Sequence, residues 1–297
     1  MPKKYQGVFA VLCTPFDAAE AFDEAALRRH IRWLIDECKV HGIIPCGSTG
    51  EFAFLTEEER RQVIQVTIDE VGGRLPVIAG AAACSTRETI AYARSCQAMG
   101  ADGVMVVPPY YGHLSQDEVY FHYSALAQAV ELPVVVYNNP GTSGTDILPP
   151  TLARLVEFDN IVAIKESSGQ MQRVVDILQR CGDRLEILCG CDTLPLEMFA
   201  MGVRGWIAAP ANVIPRECVA LYELAVLKND FKAAWELYCK IRPLFELFES
   251  SGQYVQLAKE GLALIGRPVG LPRKPLLHPV EAQVERLKGL LDSISGG

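Results

Sequence analysis

Eight short apolar runs recur along the first 212 residues, and each has four to seven residues of nearly continuous hydrophobic character. They begin at Val8, Gly42, Pro76, Gly103, Pro133, Ile161, Leu185 and Gly205. A strand with one solvated face alternates apolar and polar residues, whereas uninterrupted short runs are typical of strands buried on both faces. The pattern therefore predicts eight strands of a parallel sheet.

Longer amphipathic stretches separate these runs and carry helix start signals, such as a capping box at Thr56 and Glu59. A strand–helix alternation fits either a closed barrel or an open, doubly wound sheet. The chain has neither a G-x-G-x-x-G motif after its first strand nor a G-x-x-x-x-G-K-[ST] motif. Eight consecutive units therefore predict an α/β fold of the (β/α)8 TIM-barrel type.

The strand runs cease near Asn229, and the remaining sequence has helical patterns at residues 231–248, 253–265 and 280–291. The sequence contains no linker and no low-complexity segment. We therefore predict a catalytic barrel over residues 1–228 and a C-terminal helical extension, residues 229–297, that packs on the barrel.

The amino-acid composition argues against several classes of partner and site. The 297 residues carry a net charge of −8 and no run of Lys or Arg, which argues against nucleic acid and anionic membranes as partners. No apolar stretch is long enough to span a bilayer, and no secretory signal is visible. The ten cysteines form no C-x-x-C pair, so we expect no metal site. Because no export signal is visible, we also expect no disulfide framework and a cytoplasmic location.

Candidate chemistry lies where the predicted strands end, because side chains at the carboxyl ends of barrel strands form the active site. Lys165 directly follows the apolar residues 161–164 of the sixth strand. An isolated lysine at a strand end is usually a solvated surface charge. At the mouth of a barrel, however, partial desolvation would favour the neutral amine, which is a nucleophile toward carbonyl groups.

Two further signals fall at the same predicted mouth. Tyr137 ends the neighbouring fifth strand, and a phenol beside an amine can relay protons, although a tyrosine there could also be a packing residue. Residues 47–50 have the sequence G-S-T-G, in which glycines let backbone amides converge and two hydroxyls flank them. Such a loop suits a carboxylate or an oxyanion, unless it is only a tight turn.

Four motifs together resemble the dihydrodipicolinate synthase/N-acetylneuraminate lyase family of class I, Schiff-base-forming aldolases. They are G-S-T-G-E at residues 47–51, P-Y-Y at 109–111, Y-N-N-P-G-T-S-G at 137–144 and I-K-E-S-S-G at 164–169. The match extends from about residue 8 to residue 212 with the same motif order and spacing. The resemblance implies a (β/α)8 barrel with a helical tail.

The resemblance also implies roles for the residues at matching positions. Lys165 would form a Schiff base with C2 of a small 2-oxo acid such as pyruvate, and Tyr137 would be the general acid/base. Ser48 and Thr49 would bind the carboxylate of the 2-oxo acid, and Thr49 would extend the hydroxyl relay to Tyr137.

Three other implied positions concern the edges of the site. Tyr111 would reach into the relay of a neighbouring subunit, which implies a homotetramer built as a dimer of dimers. Gly190 and Ile207 would line the substrate pocket through backbone and apolar surface. Apart from the covalent imine with Lys165, the resemblance implies no metal and no organic cofactor.

One position departs from the pattern of the synthases. Their tyrosine motif continues as Y-N-x-P-x-R-T-G, and its arginine holds the carboxylate of the second substrate, aspartate semialdehyde. Thr142 stands in that place, and a single hydroxyl cannot form a bidentate carboxylate clamp.

The sequence therefore predicts a Schiff-base-forming lyase or aldolase that acts on pyruvate or another small 2-oxo acid. The reaction could be aldol cleavage or condensation, or dehydration or deamination of a substituted 2-oxo acid. One alternative is 4-hydroxy-tetrahydrodipicolinate synthase of lysine biosynthesis with a different anion clamp. Another is a barrel that binds a metabolite without catalysis, although such a relative would be expected to have lost a catalytic residue.

Overall fold

All eight apolar runs form parallel strands in the computed structural model, which describes residues 5–296. Residues 1–4 and Gly297, the outer ends of the predicted barrel and extension, lie outside the described part. The strands are β1 Gly7–Val11, β2 Gly42–Ile44, β3 Ile78–Gly80, β4 Gly103–Val106, β5 Val134–Asn138, β6 Ile161–Glu166, β7 Glu186–Cys189 and β8 Gly205–Ala208.

The strands pair in the order β2-β1-β8-β7-β6-β5-β4-β3, and one further parallel bridge between Ile43 and Val77 joins the two edge strands. At this junction the Ile43 N–H donates to the Pro76 carbonyl at 3.0 Å, and the Gly80 N–H donates to the Pro45 carbonyl at 2.9 Å. Closure leaves no free sheet edge. The predicted (β/α)8 TIM barrel is confirmed.

Helices alternate with the strands and surround the barrel. They are α1 Glu24–Arg32, α2 Glu57–Val71, α3 Thr86–Met99, α4 Gln116–Ala129, α5 Pro140–Ser143, α6 Pro149–Leu155, α7 Met171–Cys181, α8 Pro195–Ala200, α9 Pro215–Tyr222, α10 Phe231–Ser250, α11 Tyr254–Leu264 and α12 Glu281–Ser295. The predicted capping box begins α2, since the Thr56 side chain accepts from the Glu59 N–H and the Glu59 carboxylate accepts from the Thr56 N–H.

The last three helices form the predicted C-terminal helical extension. Buried aromatic residues connect it to the barrel: the Phe245 ring of α10 packs edge-on against Trp206 of β8, with ring centroids 5.6 Å apart. The exact division at residues 228 and 229 remains a prediction. Between residues 5 and 296, no helix combines the length and the apolar character that crossing a bilayer would need.

Candidate active site

A cavity of about 460 Å³ opens at the carboxyl end of the barrel. Its walls come from strands β1, β5 and β6, from the segments that follow β2, β5, β6, β7 and β8, and from the region where α10 meets α11. The lining residues are Val11, Ser48, Thr49, Tyr137, Asn139, Gly141, Thr142, Lys165, Ser167, Ser168, Gly190, Cys191, Asp192, Ala209, Phe248, Glu249, Gly252, Tyr254 and Val255. Residues from distant parts of the chain therefore meet at the mouth where barrel enzymes carry their active sites.

Lys165 and Tyr137 lie side by side in this cavity. They are paired residues in the register of β5 and β6, and both are buried. The Lys165 Nζ lies 4.1 Å from the centroid of the Tyr137 ring. Among the described residues, no carboxylate forms a salt bridge with Lys165. The amine therefore faces the cavity beside a phenol, and the Asp192 carboxylate, whose pKa the charge of Lys165 lowers, lines the same cavity without forming a salt bridge to it.

The alternation of the strand separates Lys165 from its neighbour Glu166. Successive side chains point to opposite faces of a strand, and the Glu166 carboxylate accepts from the Asn138 Nδ2 at 3.0 Å and from the Ser168 N–H at 2.7 Å. Asn138 also donates to Asp146, which pairs with Arg173 of α7. Glu166 and Asn138 thus form a buried network behind the strands, and Lys165 and Tyr137 are the members of these pairs that line the cavity.

Gly190 provides the space that Lys165 occupies. A Cβ at this position would lie 2.1 Å from the Ser167 Oγ, 2.7 Å from the Lys165 Cγ and 2.9 Å from the Lys165 Cε. All three distances are shorter than van der Waals contact. The absence of a side chain at position 190 therefore allows the lysine stem to pack directly against the backbone just after β7.

Tyr137 has a hydrogen-bond partner that the sequence analysis did not identify. Its phenol oxygen accepts from the Asn139 Nδ2 at 2.9 Å. Thr49 is buried and also lines the cavity. Within residues 5–296, however, the side chain that donates a hydrogen bond to the Tyr137 phenol is Asn139 and not Thr49. The position of Asn139, directly after the strand that carries Tyr137, was the available signal.

The loop at residues 47–50 is held by short-range and long-range hydrogen bonds. The Gly50 N–H donates to the Gly47 carbonyl at 3.0 Å, and the Thr14 hydroxyl, from the segment after β1, donates to the Gly50 carbonyl at 2.6 Å. A Cβ on Gly47 would lie 2.5 Å from the Val11 Cγ1, so this turn needs glycine for space. The loop presents Ser48 and Thr49 to the cavity.

Asp192 forms the opposite wall together with residues of the C-terminal helices. Its Oδ1 accepts from the Trp206 Nε1–H at 2.9 Å, its Oδ2 accepts from the Tyr254 hydroxyl, and its N–H donates to Glu249 at 3.1 Å. Burial, with a smaller contribution from Glu249, raises the pKa of Asp192 to about 7. Glu249 and Tyr254 carried no signal in the sequence, because only the packing of α10 and α11 brings them to the barrel mouth.

Two of the predicted site residues lie outside this cavity. Tyr111 is 92 % exposed and is not among the lining residues. Ile207 is fully buried within β8, and the residue of that segment that lines the cavity is Ala209. The roles predicted for these two residues remain predictions.

The comparisons with known proteins agree over nearly the whole chain. The sequence model of the "Dihydrodipicolinate synthetase family" matches residues 4–294. The chain belongs to this family. The 4-hydroxy-tetrahydrodipicolinate synthase of Methanospirillum hungatei is 39 % identical over 292 residues, which cover 97 % of this chain and 98 % of the relative.

Solved structures of the dihydrodipicolinate synthetase family have the same fold. The chloride-inhibited dihydrodipicolinate synthase of Acinetobacter baumannii, complexed with pyruvate, has a TM-score of 0.92 and 32 % identity over 98 % of this chain and 99 % of that chain. A structure described as the first monomeric dihydrodipicolinate synthase variant has a TM-score of 0.94 and 29 % identity, over 98 % of this chain and 97 % of that chain.

Membership of the dihydrodipicolinate synthetase family confirms the predicted chemistry. The protein is a lyase of the class I aldolase type that acts on a small 2-oxo acid through a covalent Schiff base with a lysine, and it uses no external cofactor. This excludes the alternative of a metabolite-binding barrel without catalysis.

The charge of the cavity matters within this family. Among the described lining residues, Lys165 is the one cationic side chain, and Asp192 and Glu249 are acidic. Thr142 lines the cavity with a neutral side chain. A carboxylate at the outer end of a second substrate would therefore find no cation there.

Proposed function

We propose that Lys165 is the lysine that forms the Schiff base, with pyruvate as the 2-oxo acid. The amine adds to C2, and the carbinolamine loses water to give an iminium ion, which then withdraws electrons from the bond that forms or breaks at C3. The carrying observation is the position of the buried Lys165, which lines the cavity with its Nζ 4.1 Å from the centre of the Tyr137 ring.

Tyr137 is the proposed general acid/base. Its phenol moves protons to and from the carbinolamine oxygen, and the hydrogen bond from Asn139 fixes the direction of the hydroxyl. Ser48 and Thr49 bind the carboxylate of pyruvate through their hydroxyls and the backbone amides of the loop. Thr49 extends the relay, and Gly190 lines the pyruvate site with its backbone.

The outer part of the cavity favours a neutral, hydroxyl-bearing second substrate or a hydroxylated 2-oxo acid. It offers hydroxyl and amide groups from Asn139, Thr142, Ser167 and Ser168. These groups exchange hydrogen bonds with hydroxyls, whereas none of them carries the positive charge that would attract a carboxylate. Aldol cleavage or condensation, or dehydration, of such a compound is therefore the favoured reaction.

A second candidate function is 4-hydroxy-tetrahydrodipicolinate synthase. It is supported by the relative from Methanospirillum hungatei, which bears that name and matches 97 % of this chain at 39 % identity. This function would require that another group replace the missing arginine at Thr142.

The test is a panel of aldehydes offered together with pyruvate, with borohydride trapping as an independent measure of Schiff-base formation. We expect pyruvate and borohydride to label Lys165, and aspartate semialdehyde to be used about 10²-fold less efficiently than neutral hydroxyaldehydes. The matched variant is Thr142→Arg, which should shift the preference toward aspartate semialdehyde about tenfold or more. Efficient use of aspartate semialdehyde by the parent would favour the second candidate.

Location and assembly belong to the same proposal. We place the enzyme in the cytoplasm, where ten free cysteines remain reduced. A homotetramer is supported by the exposure of Tyr111, which has a catalytic role only if a neighbouring subunit receives it. Light scattering that shows a fully active monomer would contradict this assembly.

A further inference from the structure

A second buried lysine connects the C-terminal extension to the active-site loop. The Lys259 Nζ of α11 lies 2.5 Å from the Glu51 Oε1, and the two side chains are 1 % and 0 % exposed. Glu51 directly follows the 47–50 loop, which presents Ser48 and Thr49 to the cavity. Neither Lys259 nor Glu51 lines that cavity.

The backbone of Glu51 is held in an unusual conformation. Its φ is +58°, in the left-handed region that residues other than glycine rarely adopt. Such a conformation persists when surrounding contacts fix it. Here the carboxylate is fixed at both oxygens, because Oε1 faces Lys259 and Oε2 accepts from the Arg273 N–H at 2.8 Å.

This fixed residue is joined to the loop by its own backbone. The Glu51 N–H donates to the Ser48 carbonyl at 3.0 Å, so a displacement of Glu51 also displaces the residue proposed to bind the substrate carboxylate. On the other side, the Lys259 Nζ donates to the Leu271 carbonyl at 3.1 Å and lies 4.2 Å from the centroid of the Phe16 ring. The extension thus holds the loop from behind.

The presence of the Glu51–Lys259 ion pair is not explained by a gain in the stability of the fold. The cost of removing two charges from water is comparable with their attraction, so a buried ion pair often stabilises a fold no more than apolar residues of the same volume. The ion pair instead fixes the orientation of the Glu51 side chain, because its carboxylate contacts Lys259 and the Arg273 N–H at the same time. Catalysis is sensitive to such positioning, because a misplacement of about 1 Å can cost about 10²-fold in rate.

We propose that Glu51 and Lys259 are positioning residues that set the 47–50 loop for the carboxylate of the 2-oxo acid. The inference rests on the proposed function, in which that loop binds the carboxylate and Lys165 binds the ketone. Lys259 does not touch the substrate. Its effect should therefore depend on whether the ketone carries a carboxylate.

The experiment compares pyruvate with methyl pyruvate, which has the same ketone but no carboxylate charge. Reductive trapping at Lys165 is followed by mass spectrometry in the parent, in Lys259→Met and in Glu51→Gln/Lys259→Met. The double variant removes both charges, so that no unpaired buried carboxylate compromises folding. We expect the preference for pyruvate over methyl pyruvate to fall about 10- to 100-fold in both variants, with methyl pyruvate trapping nearly unchanged.

The control is Glu70→Gln, which breaks a salt bridge between α1 and α2, where Glu70 faces Arg32 at 2.6 Å. It should leave the preference unchanged. An unchanged preference in the folded double variant would overturn the inference, as would a double variant whose circular dichroism shows that it does not fold. A parent that traps no pyruvate at Lys165 would instead overturn the proposed function, and the inference with it.

Discussion

Two buried lysines in this protein have opposite surroundings. Lys165 is the last residue but one of β6, is 7 % exposed and faces a cavity of about 460 Å³, and no carboxylate between residues 5 and 296 forms a salt bridge with it. Lys259 lies in α11, is 2 % exposed and meets Glu51, a backbone carbonyl and an aromatic ring. Burial alone therefore does not distinguish the lysine proposed to form the Schiff base from the one proposed to position the loop.

The difference lies in the counter-ion and in access. Burial lowers the pKa of Lys259, and the Glu51 carboxylate opposes that effect by favouring the protonated form. The protons of this amine are engaged by Glu51 and by the Leu271 carbonyl. Lys165 has space in front of it and a phenol beside it, which is what addition to a ketone requires.

The largest expected effect comes from removing the cavity lysine. Lys165→Ala should lose turnover by more than about 10⁴-fold and should no longer trap pyruvate with borohydride, because no other lysine of the described residues 5–296 lines the cavity. Trapping is measured by intact mass and peptide mapping. Lys274→Ala, on a side chain that is 78 % exposed, is the control and should trap normally. An adduct on Lys259 would show that Lys259 is also accessible to the substrate, which contradicts the proposed difference between the two lysines.

A smaller effect is expected from the phenol beside Lys165. Tyr137→Phe keeps the ring under the amine but removes the hydroxyl, so turnover should fall about 10²–10⁴-fold while pyruvate is still trapped. Steady-state kinetics and trapping are measured on the same preparation. Turnover at the parent rate would show that Tyr137 acts only as packing for the lysine.

The space around Lys165 is tested by Gly190→Ala. The added Cβ would lie 2.7 Å from the Lys165 Cγ, so the lysine stem must move and turnover should fall about 10- to 100-fold. Gly289→Ala is the matched control, since nothing lies within 4 Å of a Cβ there. This control should be as active as the parent. Equal activity of the two variants would show that Lys165 tolerates a different path to the cavity.

The carboxylates of the two regions also differ, and this difference is expected to change stability instead of turnover. Glu51 is paired with Lys259, whereas Asp192 is buried beside Glu249 and has its pKa raised to about 7. A raised carboxyl pKa means that the folded state binds the proton more tightly. The contribution of Asp192 to the free energy of unfolding is therefore fully present below about pH 4 and is lost as the pH rises through about 7.

Asp192→Asn should remove this dependence. The free energy of unfolding of the variant, relative to the parent, should increase by on the order of 2–4 kcal/mol between pH 4 and pH 8. Urea unfolding at several pH values measures the difference. Asp117→Asn, on a side chain that is 88 % exposed, should stay within about 0.5 kcal/mol of the parent throughout. If the difference in free energy of unfolding between Asp192→Asn and the parent did not change with pH, the pKa of Asp192 would not be raised in the folded state.

Local sequence signals identified several residues that line the cavity at the barrel mouth. Lys165, Tyr137, Ser48 and Thr49 follow apolar runs directly, so the rule that barrel strands end at one mouth was enough to bring them together. Asn139 was within reach of the same rule, because it stands two residues after Tyr137.

The outer wall of the cavity could not be predicted in this way. Glu249 and Tyr254 belong to the C-terminal helices, and nothing in their local sequence separates them from surface residues of an amphipathic helix. Their position depends on how α10 packs on the barrel. The pairing of Lys259 with Glu51 has the same origin, since 208 positions separate the two residues in the sequence.

The sequence by itself determined the eight strands, their order around a barrel and the end at which reactive groups gather, because these follow from periodicity and from the direction of parallel strands. It also placed a neutral side chain, Thr142, where the resemblance to the family implies an arginine. Only the tertiary structure decided which of two lysines is open to a substrate. Access and counter-ions depend on contacts between residues far apart in the chain, and a local pattern contains no information about those contacts.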